Sequence, residues 1–257
     1  MRWGLAGATA GAIVALVAFA PAAWLAEALA SATGERLLLA DARGTVWSGS
    51  ATMVLTGGAG SFDASALPGR LHWSLAPDGP GLTLRASHAC CINGELRLLL
   101  RPGLGRVRIE LPAAQGAIGQ WPAAWLTGLG TPWNTLKPTG SLQLTSPGLS
   151  VESVQGHWLF NGSAELELGA MASRVSTLEV LGSYRVRLQA DAASGAASMQ
   201  LSTVSGPLQL TGSGQWAASK LRFGGQASAE PGAEAALNNL LNIIGRRQGA
   251  LSLISIG

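Results

Sequence analysis

The chain has 257 residues, of which 12% are charged and 47% are apolar, with a formal net charge of +3. Its basic residues are scattered, and this excludes the concentrated basic surface that nucleic-acid binding requires. The 35 glycines, together with many serines and threonines, supply turns, while the apolar content is sufficient for a core. We therefore expect one folded, β-rich protein.

The first predicted element is a membrane-spanning helix. The segment from Leu5 to Leu25 supplies the roughly 20 mostly apolar residues that a span needs. Arg2 precedes this segment, and Trp3 and Trp24 lie near its two ends. The positive-inside rule and the interfacial preference of tryptophan therefore predict a cytoplasmic N-terminus. The expected location is the inner membrane, crossed once.

A cleaved signal peptide is the main alternative to this anchor. Ala18, Phe19 and Ala20 imitate a small-x-small cleavage site. However, Pro21 directly after it disfavours cleavage, and the apolar run exceeds a usual signal sequence in length. A buried helix of a soluble protein is the third alternative. We prefer the retained anchor and divide the chain into 1–30, the cytoplasmic tip, anchor and boundary, and 31–257, a periplasmic β-rich domain.

Beyond a short polar connection, predicted strands recur at intervals of about ten residues, as in all-β domains. Several alternate strictly, for example Leu96, Leu98 and Leu100, so one face should be buried and the other exposed. The predicted fold is all-β, a large curved antiparallel sheet behind the anchor. The predicted strands are Val46–Leu55, Leu71–Leu75, Leu82–Ala86, Glu95–Leu100, Arg106–Leu111, Ser141–Thr145, Gly156–Phe160, Ala164–Leu168, Thr177–Leu181, Tyr184–Ala190, Met199–Thr203, Pro207–Gly212 and Lys220–Ala227.

Two segments interrupt the strand pattern. Between Pro112 and Pro132, tryptophans and leucines recur at helical spacing, which predicts a short helix or helical turn. Between Pro231 and Gly245, Leu237, Leu240, Leu241 and Ile244 form an i, i+3, i+4, i+7 stripe. This pattern predicts a short amphipathic helix near the C-terminus. Its stripe is expected to pack on the core, with docking on a membrane surface as the alternative.

The residues that usually carry chemistry do not form a catalytic pattern. His72, His88 and His157 are far apart in sequence, and most acidic residues are isolated. Glu165 and Glu167 share one face of a predicted strand, where exposure to solvent is the simplest explanation. The sequence therefore predicts no enzyme, no cofactor and no small-molecule substrate.

Cys90 and Cys91 are adjacent and are the only cysteines. Neighbouring strand residues point to opposite faces, so an ordinary unstrained disulfide is not available to this pair. Two small apolar side chains in or beside a strand are the first interpretation. A vicinal or an intermolecular disulfide is the alternative, because an oxidising compartment permits either. The cysteine spacing does not match a zinc site, and no metal is expected.

Four stretches resemble one known family, the type II secretion system protein N (GspN) family. A Pro-Trp-Asn-Thr-Leu-x-Pro-x-Gly signature within Gly130–Gly140 is the most specific of them. The other three resemble an early Gly-x-x-Trp-x-Gly-x-Ala strand, a Trp-x-Leu-x-Pro element and the closing sheet. They are Gly44–Ala51, Leu71–Pro77, and Gly182–Val186 with Gly206–Gly214.

The resemblance spans nearly the whole chain and none of its motifs is catalytic. It implies a non-catalytic inner-membrane component of the machinery that exports folded proteins across the outer membrane. Its expected partners are the lipid bilayer and other type II secretion subunits. Pro132 and Pro138 should make the signature a rigid connection at the edge or end of the sheet. Trp133 would be buried there or presented to a partner, and the candidate contact residues are Trp133, Asn134 and Trp47.

A second function comes from the alternation alone. Period-two strands can present a continuous apolar face, so the domain could be a membrane-tethered groove that binds or transfers lipid. Such a carrier should leave that face open, whereas a scaffold should fill it or cover it with the helix predicted at Pro231–Gly245.

Overall fold

The computed structural model describes residues 11–154, 157–191, 195–217 and 220–256, and these residues form one antiparallel sheet of 16 strands. The predicted all-β class and the large antiparallel sheet are confirmed. The strands are β1 Leu37–Gly44, β2 Ser48–Thr56, β3 Ala64–Ala66, β4 Leu71–Asp78, β5 Gly81–His88, β6 Leu96–Gly103, β7 Arg106–Leu111, β8 Ala117–Pro122, β9 Pro138–Val154, β10 His157–Ser173, β11 Gly182–Ala190, β12 Ala197–Ser205, β13 Leu208–Ala217, β14 Lys220–Ala229, β15 Arg246–Gln248 and β16 Leu251–Ile256.

Most strands pair with the strand that precedes them in the chain. The spatial order is β1-β2-β4-β5-β6-β7-β9-β10-β11-β12-β13-β14-β16-β15. Strand β3 adds to β2, and β8 adds to the first part of the long strand β9, whose second part pairs with β7. The sheet is therefore a meander, in which hairpins follow one another along the sequence.

The strand registers give the sheet one apolar and one polar face. Leu84 on β5 lies between Leu75 on β4 and Leu98 on β6. The next residue, Arg85, points to the opposite face beside Arg97. The predicted period-two patterns are thereby confirmed across the central strands, because successive residues of a strand alternate between faces.

A helix covers the apolar face in the C-terminal half. Helix α3, defined below by its range Glu234–Ile244, buries Leu237, Leu240 and Leu241 against strand residues that include Tyr184 and Leu208. This confirms the helix predicted within Pro231–Gly245 and the packing of its stripe on the core. The helices in chain order are α1 Ala22–Ala32, α2 Trp133–Leu136 and α3 Glu234–Ile244, with a 3-10 helix at Ala123–Leu129 before α2.

The N-terminal segment differs from a single predicted span. Residues 11–18 are helical, and Pro21 then adopts an extended conformation and bridges to Thr45. Helix α1 begins after this break, and its Ala22 packs in a second core with Leu39 and Trp73. The break follows from proline, which has no N–H to continue the preceding helix. Arg2, Trp3 and the start of the predicted span lie outside the described residues.

Among the residues that the structure describes, no single helix combines the length and the apolar character needed to cross a membrane.

Two predictions in the middle of the chain are wrong. The strand predicted at Thr177–Leu181 is a turn, in which Leu178 and Leu181 still bury their side chains in the main core. Apolar alternation reports burial, and a packed loop can produce it without strand pairing. Within Pro112–Pro132, strand β8 precedes the 3-10 helix, so the helical part is shorter than the predicted segment. The strands predicted at Gly156–Phe160 and Ala164–Leu168 belong to β10, with Gly156 outside the described residues.

Candidate partner-contact site

The signature segment 130–140 connects the 3-10 helix to β9. Helix α2 is a single turn in which the backbone N–H groups of Leu136 and Lys137 donate to the carbonyls of Pro132 and Trp133. Lys137 ends this turn in the left-handed conformation, with φ of 44°, and Pro138 begins β9. The expected compact connection at the end of a strand is therefore present.

Asn134 fastens this connection to a distant loop. Its Nδ2 donates to Oδ2 of Asp63 at 3.1 Å, and its Oδ1 accepts from the hydroxyl of Thr131 at 3.3 Å and from that of Thr135 at 3.3 Å. Its backbone N–H donates to the carbonyl of Gly130 at 3.0 Å. Both ends of the amide are thus engaged, which fixes the rotamer of Asn134.

An open cleft of about 700 Å³ lies beside Asn134. Its lining is mainly polar and includes Asp63, Thr127, Asn134, Lys137, Thr139 and Arg174. Lys137 and Arg174 are exposed, and the ion pairs among the described residues do not include either of them. These two cations are available to a carboxylate on another molecule, while the carboxylate of Asp63 is engaged by Asn134.

The two tryptophans among the predicted contact residues lie in different surroundings. Trp133 is half-buried and belongs to neither buried core. Trp47, also half-buried, lies between β1 and β2, where its Nε1 donates to the carbonyl of Val17 at 2.7 Å. Its own carbonyl accepts from the N–H of Leu75 at 2.7 Å. The structure thus places Trp133 and Asn134 together and engages Trp47 with the N-terminal segment and β4.

Arginines pair with the carboxylates of the polar face. Glu165 contacts Arg185 at 2.8 Å and Arg187 at 2.9 Å. Glu152 contacts Arg108 at 2.8 Å, and its charge and hydrogen bond hold the pKa of the Arg108 guanidinium above its usual value. These pairs are partly or largely exposed, so each contributes little to stability. They account for the predicted solvent-facing position of Glu165.

The alternatives for the two cysteines are resolved by the structure, in which Cys90 and Cys91 form a vicinal disulfide. They lie in the turn after β5, outside any strand, so the strand alternation that separates neighbouring side chains does not apply to them. Cys90 is exposed and Cys91 is buried. The first interpretation, two unpaired apolar side chains, is wrong.

Buried His88 adjoins this disulfide. Its Nδ1 accepts the backbone N–H of Cys90 at 3.3 Å, and burial lowers the pKa of its imidazole. Candidate ligand atoms of His88, Cys90 and Cys91 lie within 4.8 Å of one another, the one such cluster of three in the part of the chain that the structure describes. Sequence reasoning missed this cluster, although the His-x-Cys-Cys spacing was visible.

Comparison with known families gives one result. The family model described as "Type II secretion system (T2SS), protein N" matches residues 35–253. The match begins within two residues of β1 and ends in β16, so it covers nearly the whole sheet. No curated protein and no solved structure matches the chain.

Proposed function

We propose, from the premise that the chain belongs to the type II secretion system protein N family, that it is a non-catalytic, inner-membrane-anchored subunit of this system. Its sheet lies in the periplasm, and it contributes to the export of folded proteins across the outer membrane by contacting other subunits. Family membership is the observation that carries this function. The contacts described above supply its candidate surface.

Exposed apolar side chains support the anchoring. In the helical segment 11–18 and just after it, Ile13 is 63% exposed, Val14 is 68% exposed and Phe19 is 77% exposed. Side chains of this size are normally buried or covered, and a lipid bilayer would cover them. Together with the predicted span from Leu5, they favour insertion of this segment into the membrane.

The cleft beside Asn134 is the proposed contact surface. Its position is fixed by the bond between Asn134 and Asp63 at 3.1 Å, which makes the rim preorganised for binding. Lys137 and Arg174 are exposed on the lining, and half-buried Trp133 directly precedes Asn134. An aromatic anchor beside unpaired cations is a common composition for a contact site between proteins.

Helix α3 favours contact with proteins over lipid carriage. It buries Leu237, Leu240 and Leu241 on the apolar face that a lipid groove would leave open. A carrier would have to displace this helix, whose carbonyl at Leu241 also accepts a bond from the buried hydroxyl of Ser252 at 2.7 Å. We therefore propose no second function.

Crosslinking in native membranes tests the proposal. A photoreactive residue replaces Trp133, and a matched variant carries it at Trp158, an exposed tryptophan on β10. Capture of type II secretion subunits from position 133 and not from position 158 is the expected result. Capture of phospholipid or lipopolysaccharide at 133 would instead support the lipid carrier, and equal capture from both positions would contradict a specific cleft.

A further inference from the structure

The turn from His88 to Asn93 is held rigidly by its own backbone and by β8. The N–H groups of Cys91 and Ile92 both donate to the carbonyl of His88 at 3.2 Å. From the β8 side, the N–H of Gln120 donates to the carbonyl of Cys91 at 3.0 Å. Asn93 closes the turn, since its N–H donates to the carbonyl of Ile118 at 2.9 Å. The positions of both cysteines are thus fixed by backbone contacts independent of the disulfide.

The close packing of β8 reinforces this arrangement. A Cβ atom added to Gly119 would lie 2.4 Å from the carbonyl oxygen of Cys91 and 2.7 Å from the ring of Trp121. Only glycine therefore allows β8 to approach the turn so closely. A preorganised ligand set of this kind is the usual requirement of a metal site.

The side chains of the turn converge on one point. The two sulfur atoms and an imidazole nitrogen lie within 4.8 Å of one another. His88 is 3% exposed, and its Nε2 is buried without a hydrogen-bond partner, while Nδ1 lies on the side of the Cys90 amide. An unpaired buried nitrogen is costly unless it serves a purpose. Cys91 is 2% exposed but Cys90 is open to solvent, which provides the entry path.

We propose that the reduced form of this turn binds one soft metal ion, with Cu(I) as its prototype, through the thiolates of Cys90 and Cys91 and the imidazole of His88. Thiolate and imidazole ligands select Cu(I) and Zn(II) over hard cations such as Mg²⁺ and Ca²⁺. With three ligands converging, Cu(I) is the better match, since a structural zinc site takes four. The site is independent of the cleft beside Asn134 and does not depend on the proposed secretion function.

The disulfide must first be opened. An external dithiol attacks the exposed sulfur of Cys90, the bond to Cys91 breaks, and a second thiol of the reductant resolves the mixed disulfide. Two electrons and two protons pass to the protein, and the reductant leaves as its own disulfide. Binding of Cu(I) then displaces the two thiol protons, and the imidazole contributes a neutral lone pair. Oxidation back to the disulfide releases the ion.

Anaerobic titration tests the site. The full chain in detergent is reduced with a phosphine, freed of reductant, and titrated with Cu(I) against a colorimetric Cu(I) chelator. The expected result is one equivalent bound by reduced protein and none by the oxidised form. Cys90→Ser and Cys91→Ser should each lower affinity by at least ~100-fold, and His88→Gln by at least ~10-fold, the order of loss known for metal-site substitutions. His72→Gln alters an exposed histidine on β4 and should bind like wild type.

Three outcomes would overturn the proposal: reduced wild type that binds no Cu(I), binding of equal strength by the oxidised form, or Cys90→Ser that retains full affinity. If His88→Gln does not fold, X-ray absorption on loaded wild type replaces it. Two sulfur scatterers with one nitrogen are expected there. A sulfur-only first shell would exclude His88 as a ligand and contradict the three-ligand site.

Discussion

Asn134 and Asp63 are 71 residues apart in the chain, yet the amide nitrogen of Asn134 lies 3.1 Å from Oδ2 of Asp63. The bond joins the one-turn helix before β9 to the loop between β2 and β3. Because the same amide accepts the hydroxyls of Thr131 and Thr135, the segment bearing Trp133 is braced from both sides. This bracing gives the proposed contact surface a fixed shape.

A double-mutant cycle measures this link. Asn134→Ala should lower the free energy of unfolding by ~1 kcal/mol, because the bond has a charged acceptor but is only partly buried. Asp63→Ala should cost a similar amount, and the two changes together should cost less than their sum. Urea denaturation gives all three values. Strict additivity would show that the bond contributes nothing in solution.

Truncation of Trp133 should affect binding more than stability. The side chain is half-buried and outside both cores, so Trp133→Ala should cost ~1 to 2 kcal/mol. Trp73→Ala is the matched core control, because Trp73 is buried and donates to the carbonyl of Val46 at 3.1 Å, and it should cost ~3 to 5 kcal/mol. Secretion of exported proteins and thermal melting are measured together. Equal destabilisation by the two changes would assign Trp133 to the core.

Helix α3 should depend on its buried leucines. Leu240 is 2% exposed, and Leu240→Ala should therefore lower the free energy of unfolding by ~2 to 5 kcal/mol. Asn239→Ala, one position earlier and exposed, should change it by less than ~0.5 kcal/mol. Denaturant titration followed by circular dichroism compares them. A small loss for Leu240→Ala would show that the helix is only weakly docked on the sheet.

Asp41 should contribute to an acid-dependent part of the stability. Hydrogen bonds from Arg43 and Arg70 hold the pKa of its carboxyl below the usual value of 3.8. The unfolded chain therefore takes up this proton first, and the contribution of Asp41, present above about pH 4, is lost as pH falls through the lowered pKa. Asp41→Asn should flatten the melting temperature between about pH 4 and 2.

Asp78→Asn is the control for this pH dependence, since Asp78 accepts a bond from Thr83 and makes no ion pair among the described residues. It should keep the wild-type pH profile. If Asp41→Asn also keeps that profile, the two arginines do not stabilise the carboxylate in solution.

Reporter fusion tests the topology. Alkaline phosphatase, which needs an oxidising compartment for its disulfides, is joined after Gly257. It should be active if Arg2 lies in the cytoplasm and the sheet lies across the membrane. Intact-mass analysis of the membrane fraction should find residues 1–30 still attached. An inactive full-length fusion would reverse the topology, and a soluble product starting near Pro21 would identify a cleaved signal.

The strand pattern could be predicted from sequence wherever a strand alternates on its own. Leu96, Leu98 and Leu100 mark β6 in this way, because one face meets the core and the other meets solvent. Strand β8 could not be found, since its Gly119 and Trp121 fit β9 and the cysteine turn through contacts distant in sequence. The break at Pro21 was read as a barrier to cleavage, and its effect on the helix was missed.

The candidate site was only partly visible. The prolines around Trp133 indicated a rigid connection, and the structure has one, but the bond to Asp63 depends on a loop that no local pattern links to it. Sequence reasoning about Cys90 and Cys91 assumed strand geometry. The two residues lie in a turn, where their sulfur atoms can meet, and a turn held by distant β8 leaves no periodic signal.

Because nearly every strand pairs with the one made just before it, the sheet can grow by one hairpin at a time as the chain emerges from its N-terminus. Each new strand closes a short loop, which keeps the entropic cost of each step low. The exception comes last: β16 must pass β15 to reach β14, with α3 in between. The growing edge therefore stays open until the final residues arrive, and a chain truncated within α3 would expose β14 to pairing with other chains.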